Sequence, residues 1–376
     1  MKFLIIPDKF KGSLSSIEVI KSIKRGIRRF DRSAEFNSVS ISDGGDGFLS
    51  SLQQILNIEE VKIFGKDSLM RECETSYLIN RENDTAYIEL ANSSGIALLK
   101  DSERNPLNTT TYGTGIEINH AIKQGVKNLV IGLGGSSTND LGLGIMSALG
   151  IIFLDTNGIN LIPNGSNLSK ISSVVIPNEI KEKINNVKWE IVNDVKNVTF
   201  GINGCARVYA SQKGASENDI DYLEQSGLKI HKLLVKLFNK DYSNYEGSGA
   251  AGGVAYGLKL FTNCKFSNGI EFIFEKSGLN KSLSKNGYDY VITGEGQIDS
   301  QTLNGKAVES IIKKVDKFKI PILIICGKSY LDIDKFASYN VESIISIDSK
   351  KIREGTLMKK ASEYIEEDIY NYLKLK

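Results

Sequence analysis

Two histidines and four cysteines in 376 residues leave little material for a metal centre. Cys73, Cys205, Cys264 and Cys326 are far apart, and His120 and His231 fall in helix-like stretches, so the spacing of a zinc site is missing. Prolines number only five. No apolar run approaches the roughly twenty residues of a membrane span. The opening run Met1–Ile6 meets Pro7 and Asp8 too early for a signal peptide. An excess of charge is also missing: 47 basic against 45 acidic residues give +2 and no electrostatic reason to expect nucleic acid or a membrane surface. A reducing, cytoplasmic compartment is the expectation. The Walker pattern fails at Gly305–Lys306 and at Gly327–Lys328: Ser300 stands where Lys306 would need its first glycine, and Ile322 where Lys328 would. P-loop NTPases and protein kinases are thereby set aside.

Glycine is what the chain has in quantity: 35 residues, gathered in a few loops. The densest organising stretch is KNLVIGLGGSSTNDLGLGIMSALGIIFLD, residues 127–155. An apolar run ends in Gly132, Gly134 and Gly135, a helix-compatible segment reaches Gly150, and a second apolar run closes on Asp155. Strand, glycine turn, helix and strand make a βαβ unit, whose first turn favours anions because N–H groups at the helix start point outward. Gly132 and Gly134 match two glycines of a dinucleotide fingerprint, with Asp155 as its ribose acid, but Ser137 occupies the third glycine position. The hydroxyl-rich Ser136, Ser137, Thr138, Asn139 and Asp140 suit a phosphorylated or polyhydroxy ligand better. A tight turn with no ligand is the plain alternative.

Around this unit the chain reads as two domains. Lys2–Ile6 predicts a strand and Ser15 with Glu18 a capped helix whose stripe is Ile17, Ile20, Ile23 and Ile27. A strand over 36–41 and a helix over 48–56 follow, and then three strands without helices between 61 and 90. Near 288 the βαβ rhythm returns, with strands at Tyr290–Thr293, Ile320–Cys326 and Ser343–Ile347 and a last helix over 356–374. The expected architecture is α/β: a discontinuous, Rossmann-like, doubly wound domain from residues 1–60 and 287–376, and an inserted mixed α/β domain over 61–286.

Acidic loops follow predicted strands twice. SDGGDGF holds Asp43 and Asp46, and TGEGQIDSQTLNGK holds Glu295, Asp299 and Lys306. Paired carboxylates beside phosphate oxygens are what Mg²⁺ takes, although each loop alone also reads as a solvated turn. Lys9, Lys11, Lys213 and Lys306 are candidate phosphate partners, although any one of them alone reads more readily as solvated surface charge. GSGAAGG, residues 247–253, is either a second anion nest or a tight helix contact.

Taken in order, PDKFKGSLSS, SDGGDG, GGSSTND, SQKGA, GSGAAGG and TGEGQIDSQTLNGK, spread over nearly the whole chain, resemble the bacterial glycerate kinase family. The resemblance implies ATP- and Mg²⁺-dependent phosphorylation of D-glycerate, the 2-phosphate being the usual product of this branch. Departures are Phe48 for threonine, Leu141 for glycine, Asn193 for cysteine and Ser211 for proline. On this basis Asp194 or Asp8 orients the glycerate hydroxyl, and Lys11 or Lys213 neutralises phosphate or carboxylate. Asp43, Asp46, Glu295 and Asp299 are the metal candidates. The turn from Gly134 to Asp140, Gln212, Lys213 and Lys306 are the substrate and phosphate candidates, in a cleft between the domains. A homodimer is compatible with this reading. Two other classes remain: a nicotinamide-dependent oxidoreductase using the 132–134 turn, and a non-catalytic sensor of a phosphorylated sugar acid.

Overall fold

The computed structural model describes residues 1–41, 44–45, 47–285, 287–300, 302–303, 307–350 and 354–376. Strands among them are β1 (Lys2–Pro7), β2 (Glu35–Ser38), β3 (Glu59–Lys66), β4 (Glu72–Asn80), β5 (Thr85–Glu89), β6 (Asn128–Gly132), β7 (Ile152–Leu154), β8 (Ser173–Val175), β9 (Lys188–Val192), β10 (Lys265–Ser267), β11 (Tyr290–Ile298), β12 (Ile322–Ser329) and β13 (Val341–Ser346). The chain divides into two compact units. One comprises Met1–Ser42, Gln54–Leu56 and Ile270–Lys376, the other Asp43–Gln53 and Asn57–Gly269. Segment 270–286 thus goes with the chain ends, and 43–53 with the middle, whereas the sequence suggested breaks at 60 and 286.

The first unit is a five-stranded sheet in the order β13-β12-β11-β1-β2, parallel throughout. In chain order that is the 2-1-3-4-5 winding, whose switch point lies between β1 and β11. Phe3 and Ile5 face a core with Ile23, Ile27, Ile365 and Ile369, while Leu4 and Ile6 are buried on the other face. Burial on both faces explains why this strand reads as one continuous apolar run rather than an alternation. The helix Ser16–Phe30 starts as its sequence dictates: Glu18 N–H donates to Ser15 Oγ at 3.3 Å and Ser15 N–H to Glu18 Oε2 at 2.8 Å. It lies against the terminal helix Glu354–Lys374, where Arg25 and Arg29 both reach Glu366.

The second unit holds a six-stranded sheet, β10-β9-β6-β5-β4-β3, in which β5, β6, β9 and β10 are parallel and β3 and β4 antiparallel. Ile88, Ile131 and Ile191 from neighbouring strands share a core with Ile118, Ile145, Met146, Trp189 and Tyr256. Two local expectations change here and in the first unit. The run Ile152–Leu154 does not return beside β6; it pairs antiparallel with β8 in a separate hairpin. The helix Leu143–Leu149 before it ends at Gly150, whose φ of +113° is open to glycine. β11 also continues to Ile298, so Glu295 stands within a strand rather than in a loop, held there by the longer β12 ladder.

Candidate active site

In the second unit the loops after β5, β6, β9 and β10 all leave the carboxyl edge of the sheet, where open α/β folds gather ligands. The loop after β6 carries the glycine turn. Gly134 N–H donates to Gly44 O at 2.9 Å, and a Cβ on Gly134 would stand 2.1 Å from Gly45 Cα. The glycine is therefore demanded by the chain's own 44–45 backbone, which crosses it. That overturns the dinucleotide reading, which needed the close approach for a pyrophosphate. Asp155 fails the same reading: its Oδ1 accepts from Asn157 and Ile159 N–H in an exposed turn of the hairpin, not beside β6.

The rest of the turn is mostly turned inward. Gly134 and Gly135 are half-buried, and Ser136 through Asp140 are buried. Ser137 Oγ donates to Ser94 O at 2.9 Å. Asp140 accepts from Thr111 N–H at 2.7 Å, Thr111 Oγ1 at 2.8 Å, Gly142 N–H at 3.0 Å and Gly144 N–H at 3.2 Å. Burial pushes its carboxyl group up, and these donors pull against that. These bonds pin the turn to the starts of helices Tyr112–Lys123 and Leu143–Leu149. Asn139 is buried, and its Nδ2 has no hydrogen-bond partner.

Lys213, from the SQKGA stretch, lies 4 % exposed and donates from Nζ to Thr138 O at 2.7 Å and Ser136 Oγ at 3.3 Å. Burial lowers this ammonium to about 8, with Cys205 and Asp140 opposing the shift. The structure therefore brings Lys213 onto the glycine turn, whereas its neighbour Gln212 is exposed. The small-residue run behaves as a tight contact rather than an anion nest. Gly252, at φ +68°, presses its backbone against Thr138, where a Cβ would come 2.1 Å from the carbonyl oxygen.

Asp194 follows β9 on the same edge. Its Oδ1 accepts from Gly269 N–H at 2.8 Å and from Asn268 Nδ2, both just beyond β10. Two donors on one oxygen fix the carboxylate's orientation. Glu89, at the end of β5, is a further member that the sequence reading missed. It is buried and accepts from Gly47 N–H at 3.1 Å and Leu49 N–H at 3.0 Å, holding the start of helix Phe48–Ile55 to the sheet. Asn268 was missed as well. The available signal was position: an acid or amide at or just after the end of a short strand, as Asp8 and Asp194 are.

In the first unit Asp8 directly follows β1, Glu295 lies in the later part of β11 and Asp299 directly follows it, on the two strands of the switch point. Asp8 N–H donates to Gly294 O at 2.8 Å. Gly296 lies under the loop after β1, 3.2 Å from Lys11 N when given a Cβ. Thr302 Oγ1 donates to Glu295 Oε1 at 2.8 Å, and Gln297 Nε2 to Asp299 Oδ2 at 2.7 Å. Lys11 itself is exposed. Asp43, Asp46 and Lys306 lie outside the described residues. Among the described residues no group of three or more His, Cys, Asp or Glu is placed to hold a metal, and no helix is long and apolar enough to cross a membrane.

Comparison with known proteins covers the whole of this framework. A model of the glycerate kinase family matches residues 3–375. Glycerate kinase of Bacillus subtilis (strain 168) is 33% identical over 366 residues, 97% of this chain and 95% of that one. Glycerate 2-kinase of Escherichia coli (strain K12) is 32% identical over 347 residues, 92% of this chain and 90% of that one. A crystal structure assigned to glycerate kinase 2 of Salmonella typhimurium LT2 superposes with a TM-score of 0.83 at 29% identity, covering 100% of this chain and 98% of that one. The chain belongs to the glycerate kinase family and is a kinase of the α/β class.

Proposed function

We propose that the protein transfers the γ-phosphoryl group of ATP to a hydroxyl of D-glycerate in a Mg²⁺-dependent reaction, giving 2-phospho-D-glycerate. Family membership supports the activity, and the printed name of the Escherichia coli relative supports the 2-phosphate. The observation that carries the mechanism is Asp194. A carboxylate oriented by Asn268 and Gly269 at the carboxyl end of a central parallel strand is built to hold an acceptor hydroxyl and take its proton. Asp8, at the equivalent strand end of the first unit, is the second candidate for that role.

The residues present fit the proposed ligands. Glu295 and Asp299 offer the hard oxygen donors Mg²⁺ takes, and Asp43 and Asp46 are proposed metal ligands by residue type alone. Buried Asn139 Nδ2, without a partner, is a donor left for an incoming acceptor. Mg²⁺ supplies charge neutralisation on the phosphate oxygens when bound. Lys213 keeps a positive charge against the turn at Gly134, Gly135 and Ser136, Lys11 and Gln212 add donors from exposed positions, and Lys306 is proposed as a further phosphate partner. Such preset charges act on the negative charge of the transferring group without reorganising during reaction. A cytoplasmic location follows from this metabolic role.

ADP release measured with D-glycerate, ATP and Mg²⁺ tests the activity; the same rate with and without glycerate sinks it. Enolase alone, with no mutase, consumes the product only if the 2-phosphate forms.

A further inference from the structure

β3 is the edge of the six-stranded sheet, and among the described residues nothing pairs with its outer side. Its ladder to β4 is continuous, from Glu59 opposite Ile79 to Lys66 opposite Glu72, with no bulge. It contains no proline. Edge strands are normally protected by bulges, prolines, shortness or charged side chains, and this eight-residue regular edge has only the charges, of both signs. Val61, Ile63 and Gly65 turn toward the core, while Glu60, Lys62 and Phe64 are exposed on the other face. The Phe64 ring is 85% exposed, on a face otherwise lined by charge.

The sequence of this strand is complementary to itself. Antiparallel pairing about a two-fold axis normal to the sheet keeps each face on its own side. An axis through Ile63 sets Ile63 against the partner's Ile63 and Val61 against the partner's Gly65. On the exposed face it sets Lys62 against the partner's Phe64 and Glu60 against the partner's Lys66, each twice. That gives two cation–π pairs and two ion pairs. Centring the axis on Lys62 instead puts two lysines face to face, and centring it on Phe64 puts Lys62 against the partner's Lys66. The two neighbouring registers are thus penalised by like charge, and the axis on Ile63 keeps the longest ladder of complementary pairs.

We propose that β3 is the interface of a homodimer, paired antiparallel with β3 of a second copy about Ile63, so that the two sheets join into one. The pairing is independent of the catalytic assignment, because it is measured without substrate. The test is sedimentation equilibrium of the purified full chain and of exposed-face variants, with folding checked by circular dichroism. The parent sediments as a dimer. Glu60→Lys, Lys66→Glu and Phe64→Lys each raise the dissociation constant about tenfold or more, since each creates two like-charge contacts. The double variant E60K/K66E dimerises again, and mixing the two single charge variants gives a heterodimer. A parent that stays monomeric at all concentrations overturns the proposal. So does a dimer indifferent to Glu60→Lys and Phe64→Lys, or single variants that the double change does not rescue.

Discussion

Glu117 offers a sharp test of the physical reasoning, because it is a carboxyl group where water cannot reach it. It sits on helix Tyr112–Lys123, turned into the second unit's core, and is 0% exposed. Thr75 Oγ1 donates to its Oε1 at 2.5 Å, and Oε2 has no partner. Burial raises its pKa from 4.5 to about 8, an effect the Thr75 and Ser93 hydroxyls offset only in part and Glu89 reinforces. The folded protein therefore keeps this proton at neutral pH while the unfolded chain releases it near 4.5. The associated stability is fully present below 4.5, falls by about 1.4 kcal/mol per pH unit above it, and stops falling once the folded group ionises near 8. Glu117→Gln removes the titration and adds an amide that lacks one partner, a cost of about 1–3 kcal/mol independent of pH. Between pH 5 and 7 the stability of the variant relative to the parent should thus improve by about 3 kcal/mol, whatever its starting offset. The single tryptophan, Trp189, is buried in the same core and reports unfolding of this unit by fluorescence in urea. Curves for parent and variant that run parallel over that pH range would refute the assignment of a buried, protonated Glu117.

Other expectations follow from the site. Asp194→Asn should lower kcat by about 10²–10⁴ with the fold intact, measured by ADP release, since it removes the proton acceptor but keeps the bonds from Gly269 and Asn268. Lys213→Met should abolish turnover while leaving urea stability at pH 7 equal or higher. The ammonium's pKa is lowered from 10.5 to about 8, so folded stability falls as pH drops from 10.5 to 8 and stays reduced below. Gly134→Ala should displace the 44–45 backbone and cut activity severely, because the new methyl group would meet Gly45 Cα; a normal rate and thermal midpoint would contradict that contact. Chelating Mg²⁺ with EDTA should stop the reaction, and added Mg²⁺ should restore it.

The strand and helix order was legible in sequence wherever a local pattern had one outcome. β1 reads as a buried strand because five consecutive residues, Phe3 to Pro7, are buried, and helix Ser16–Phe30 begins where Ser15 and Glu18 cap each other. The partnerships of the glycines were not legible. The spacing in GLGGSS is equally suited to a passing phosphate and to a passing peptide, and only the 44–45 backbone decides between them. Asp140 resembled a ligand-binding acid by its company of hydroxyl residues. Its bonds to Thr111, 29 positions away in sequence, make it an internal clamp.

What the sequence determined alone was the run of elements and the family framework. These depend on short-range chemistry: capping, alternation and the placement of polar residues after apolar runs. What the tertiary structure decided was adjacency. β7 left the central sheet for a hairpin with β8, although its apolar run had suggested a place beside β6. Lys213 joined the turn at Ser136 across 77 positions, and Asp194 met Asn268 across 74. Such pairings are set by which strand neighbours which in a parallel sheet, and that order is not written in the local pattern of any one strand.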